Sequence, residues 1–138
     1  MRQFFIPYCQ SSAMFGTSFL FFVPTLYSMY RGFYWYSRLN GAIAFASVNH
    51  WRNPIRPSWR RTLDYAISYV GFCLYLKDGI LNLDEPGYLF GSCGLFWILY
   101  YYINSHFGYY GGNTHWRKHH AMFHVMVVYQ QLLILLYL

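Results

Sequence analysis

Hydrophobic residues run along this chain in five blocks separated by short clusters of charge, proline and glycine. Residues 13–30 carry no charged side chain, and with their aromatic ends they approach the roughly 20 residues needed to cross a bilayer. Pro24 inside this block is expected to bend it. The second block, residues 39–51, is short and rich in Gly41, Ala42, Ala44, Ala46 and Ser47, as suits a helix packed closely on its neighbours. A third block covers residues 60–77, a fourth 87–104 with Gly87, Gly91 and Gly94 giving it a smooth face, and a fifth 119–138. WRNPIRPSWRR reads as a wet loop because Pro54 and Pro57 interrupt any helix. KDGILNLDEPG and SHFGYYGGNTHWRKH read as connectors, and MRQFFIPYCQSS as a polar-aromatic lead at the interface. The pattern predicts an all-α fold: one transmembrane domain over residues 1–138, a polytopic bundle of about five membrane-crossing helices.

Composition points the same way. Of 138 residues, 57% are hydrophobic and only 10% charged, whereas a soluble domain carries about a quarter charged residues. Mean hydropathy is only slightly positive because the 16 tyrosines are scored as polar. Aromatic residues make up 25%, and Tyr and Trp gather at the headgroup level of a membrane. Trp51, Trp59, Trp97 and Trp116 read as interface anchors, and Tyr100, Tyr101 and Tyr102 as part of an aromatic belt. Cys9, Cys73 and Cys93 are odd in number and lack C-x-x-C spacing, which suggests neither a disulfide framework nor a zinc ribbon. No small-residue cleavage site follows the first apolar run, so no signal peptide is expected. No P-loop, dinucleotide fingerprint or nucleophile elbow occurs.

The formal net charge of +6 suggests nucleic acid until the positions are considered. The basic residues stand at the ends of apolar segments, which indicates membrane topology and contact with anionic lipid, and no nucleic-acid partner is expected. Five spans put Arg2, Arg52, Arg56, Arg60, Arg61, Arg117 and Lys118 on one side and Arg31, Arg38 and Lys77 on the other. The positive-inside rule then places the N-terminus and the basic loops on the cytosolic, matrix or stromal side. The uncharged run to Leu138 is expected to end at or inside the far leaflet, covered by a neighbouring chain.

The candidate chemistry lies near the basic side. His120 and His124 stand one turn apart on one helix face, an arrangement in which two imidazoles can share a metal. His50 ends the second helix and Asp64 starts the third, so both are expected at the depth of that pair. A carboxylate in lipid needs a partner. Arg60 and Arg61, three and four residues before Asp64, would satisfy it without catalysis. Ser47 fits either a site or close helix packing, and His106, His115 and His119 fit helix ends, lipid phosphate or a partner chain, with His115 also a substitute ligand.

Ser47-Val-Asn-His50, Leu63-Asp64-Tyr65 and His120-Ala-Met-Phe-His124 occur in an order that resembles the superfamily of alkaline ceramidases, progestin and adipoQ receptors and hemolysin III proteins. Those motifs cover residues 41–76 and 115–130. The resemblance implies an intramembrane zinc held by His50, His120 and His124, with Asp64 and Ser47 orienting a water for cleavage of a lipid amide such as ceramide. Zinc with three protein ligands leaves its fourth position to water and lowers that water's pKa to about 7. The chain departs from the family in its tighter Ser47–His50 spacing and in having fewer helices. Two expectations follow. One is a divergent intramembrane zinc-site protein related to lipid amidases and receptors. The other is a non-enzymatic subunit that packs among other membrane chains in a larger organellar or viral complex, with membrane lipids and neighbouring subunits as its partners.

Overall fold

A computed structural model describes residues 4–6, 8–56 and 58–138. Among them the chain is helical throughout apart from one short strand pair, and the helices form five segments, as the apolar blocks predict. They fall into two compact units, Met1–Cys73 and Leu74–Leu138.

The first unit opens with strand β1 (Phe4–Phe5), which pairs antiparallel with β2 (Ile55–Arg56), Phe4 opposite Arg56 and Phe5 opposite Ile55. The Ile6 N–H continues the pairing by donating to the Pro54 carbonyl at 3.1 Å. Helix α1 (Tyr8–Ser18) passes through a 3₁₀ turn, Phe19–Phe21, into α2 (Phe22–Tyr30). Pro24 explains the turn, because it has no N–H to give the Leu20 carbonyl and its ring crowds that carbonyl. The expected bend is therefore a tightened turn just ahead of the proline. Gly32, at φ 78°, ends α2 by taking the left-handed conformation.

Helix α3 (Tyr34–Arg52) starts five residues before the second apolar block. Its inner face repeats at helical spacing through Asn40, Ile43, Ala44, Ser47, His50 and Trp51, all buried. The small side chains on this face let α1 and α2 pack against it. Helix α4 (Trp59–Asn82) then begins, and its residues up to Cys73 belong to this unit. Gly71 makes room for Ile43, whose Cδ1 would lie 2.7 Å from any Cβ added there.

The second unit holds the end of α4 with α5 (Glu85–Tyr110) and α6 (Trp116–Tyr137). The connector expected at residues 77–87 is almost wholly helix; only Leu83 and Asp84 separate α4 from α5. Asp84 accepts the Gly87 N–H at 2.8 Å, and Pro86 fits the first turn of the new helix. Helix α5 also runs past the expected end at residue 104, because Gly108 is not a loop glycine: a Cβ there would meet the Trp116 Cβ at 3.1 Å. The two long helices form an antiparallel hairpin through Gly87, Gly91 and Gly94, where the Gln130 amide, Leu133 and Tyr137 come close to the backbone of α5.

One helix among the described residues, Trp116–Tyr137, is long and apolar enough to cross a membrane. Its 22 residues span about 33 Å, against roughly 30 Å of hydrocarbon.

Candidate functional site

Both units bury polar side chains beside their apolar core and expose large apolar ones. In the first, Ser11, Ser18, Ser28, Asn40, Ser47, His50 and Asp64 are buried while Leu26 is 65% and Phe45 68% exposed. In the second, Ser105, His124 and Gln131 are buried while Leu89 is 70% and Phe107 71% exposed. Single exposed apolar residues are ordinary; this many large ones beside buried polar groups are not.

In the first unit Ser47 turns to a neighbouring helix. Its Oγ lies 2.9 Å from the Ser18 Oγ, which also donates to the Met14 carbonyl at 2.7 Å. That is how small hydroxyls tie helices together where water is absent. His50 is buried with its ring 4.7 Å from that of Trp51. Asp64 is buried, and among the described residues no hydrogen bond or ion pair reaches its carboxylate. The alternative Arg–Asp pair is not formed among the described residues: the Arg61 guanidinium lies over the Tyr65 ring at 5.0 Å. Seven residues before Gly71 stands Asp64 and seven after Ile43 stands His50. Ile43 Cδ1 packs against Gly71, so α3 touches α4 at that point.

In the second unit His120 and His124 do share a face, with ring centroids 4.9 Å apart and planes at 70°. The His120 Nδ1 is 2.9 Å from the Ser105 Oγ of α5, a hydrogen bond that fixes the ring and leaves Nε2 as its other donor or acceptor. His124 is buried, and Phe123 packs beside both rings. Ser105 is the residue the sequence does not announce. It lies fifteen positions before its partner in a segment read as loop, and only the α5–α6 hairpin brings them together. His119 belongs to an aromatic cluster, its ring about 6 Å from those of Tyr100 and Tyr101. His106 stacks on Tyr102 and meets Tyr110.

Among the described residues of either unit, no three His, Cys, Asp or Glu side chains gather in a way that could hold a metal ion. The pair His120–His124 stands in one unit and His50 with Asp64 and Ser47 in the other. Two of the expected tryptophan anchors also have another role: Trp51 and Trp116 are buried, and only Trp59 and Trp97 are exposed. The run from Phe96 to Tyr102 lies in the middle of α5 rather than at its end.

No family model, curated protein or solved structure matches the chain.

Proposed function

We propose that the chain is a small multi-pass membrane protein that acts without chemistry of its own, as a packing subunit of a larger membrane assembly. The observation that carries this reading is the outward-facing apolar surface of both units around buried hydroxyls and amides. Lipid accounts for faces of Leu, Val and Phe. It accounts less well for the middle of α5, where Trp97, Tyr100 and Tyr102 are exposed. Phenol and indole groups are polar at one end, and in hydrocarbon each needs a hydrogen-bonding partner. The headgroup belt serves rings at helix ends; rings at mid-helix call for the side chains of another protein. Between Glu85 and Arg117 there is no charged residue, so α5 can accompany α6 through the bilayer with the basic turn at one surface. In this reading that turn and the N-terminus lie on the cytosolic, matrix or stromal side, the side the positive-inside rule favours for the basic loops.

Extraction of the tagged protein from its native membrane in mild detergent tests this. The chain is expected to migrate with a defined set of other membrane chains, and W97A/Y100F is expected to release it while its helical circular dichroism persists. A wild-type chain that leaves the membrane in alkaline carbonate, or is extracted alone, overturns the proposal.

The His120–His124 pair favours a second reading, the intramembrane zinc site of a distant ceramidase-superfamily member. The pair supplies two of the three ligands that a catalytic zinc takes. One zinc per purified chain, lost in H120A and in H124A, would support this reading and displace the first. Less than a tenth of an equivalent would end it.

A further inference from the structure

The arginines where α3 meets α4 have a feature that packing does not use. The chain has four acidic residues, and none precedes Asp64. Arg52 ends α3, Arg56 lies in β2 and Arg60 and Arg61 open α4, with no acid among them, and Asp64 is buried and makes no ion pair among the described residues. Arg52 is exposed, Arg60 is half-buried, and among the described residues neither has an ion pair or hydrogen bond. The segment that carries them is built rather than loose: β1 pairs with Ile55 and Arg56, and the Ile6 N–H holds the Pro54 carbonyl. Immediately beside the arginines is Trp59, 70% exposed, followed along α4 by exposed Leu63, Tyr69 and Val70.

The guanidinium groups of Arg52 and Arg60, beside a helix that exposes large apolar side chains, match one class of ligand, an anion that carries its own hydrocarbon. We propose that the α3–α4 loop binds anionic phospholipid. Arg52 and Arg60 engage the headgroup phosphate, Trp59 sits at headgroup depth, and the acyl chains cover Leu63, Tyr69 and Val70. Guanidinium suits a phosphate because its fork of N–H donors matches two oxygens. This inference rests on the membrane reading above. A polynucleotide offers the phosphates without the hydrocarbon, so the exposed face of α4 argues against it.

The test uses the full-length protein in nanodiscs of phosphatidylcholine with one-fifth phosphatidylglycerol, followed by native mass spectrometry of the lipids retained. Wild type is expected to retain phosphatidylglycerol about tenfold over its share of the bilayer, with the preference falling as salt is raised. R52Q/R60Q is expected to retain the two lipids in bilayer proportion, whereas R38Q/K77Q, altered elsewhere, keeps the preference. No preference in wild type at low salt, an equal preference in R52Q/R60Q, or displacement of the lipid by single-stranded polynucleotide overturns the proposal. If R52Q/R60Q does not fold, the salt dependence of wild type decides. A wild type embedded in the bilayer but indifferent to headgroup charge defeats this inference alone; one that alkaline carbonate strips from the membrane defeats the membrane reading with it.

Discussion

Asp64 is the residue whose chemistry is least reconciled with its place. A buried carboxylate without a partner is destabilising, by roughly 1–3 kcal/mol or more for a charged group, so it persists only where something offsets that cost. Asp64→Asn is expected to raise the thermal stability of the detergent-solubilised protein, and a marked loss of stability would mean that the carboxylate has a partner the fold conceals. Ser105 makes the opposite kind of contribution. Its hydrogen bond to the His120 Nδ1 is worth about 1 kcal/mol. Ser105→Ala should remove that much stability and shift the imidazole nitrogen resonances of His120, and unchanged resonances would mean the contact is not formed. The pairing of His120 with His124 was legible in the sequence because four residues is a fixed geometric step on a helix. The Ser105 contact was not, since it depends on where a hairpin closes, and neither was the stacking of Arg61 on Tyr65 in preference to Asp64, since both partners are in reach of the guanidinium.

Helix identity was legible wherever an apolar block was long; helix ends were not. Gly108 and the residues around Leu83 look like loop by composition, yet each serves close packing inside or between helices. Glycine marks both a turn and a smooth helix face, and only the partner across from it tells them apart. Gly94 illustrates the second use: a Cβ there would overlap the Gln130 Oε1 and lie 3.0 Å from the Tyr129 ring. Gly94→Ile should therefore force α5 from α6 at a cost of about 1–3 kcal/mol, read as an earlier thermal transition. An unchanged transition would show that the amide and ring move aside freely. At the other end of the hairpin, Asp84→Ala removes the α5 cap and its contact with Tyr137, with an expected loss of about 1 kcal/mol in the same assay.

At the scale of the molecule, low charge and abundant aromatic residues led to the expectation of about five membrane-crossing helices, of which one among the described residues, Trp116–Tyr137, is long and apolar enough to cross. The division into two compact units was not legible, because spacing along a helix is local whereas the choice of packing partners is made by contacts distant in sequence. For the same reason the motifs that resemble a zinc site could be read in order along the chain while their assembly could not. The proposed subunit would have its aliphatic faces covered by lipid and its mid-helix tyrosines by other chains. The most direct measurement is the mass of the particle that carries the protein after gentle extraction from its native membrane. A subunit predicts a particle of several chains, well above the 16.6 kDa of this one. A lone 16.6 kDa chain in its micelle contradicts it.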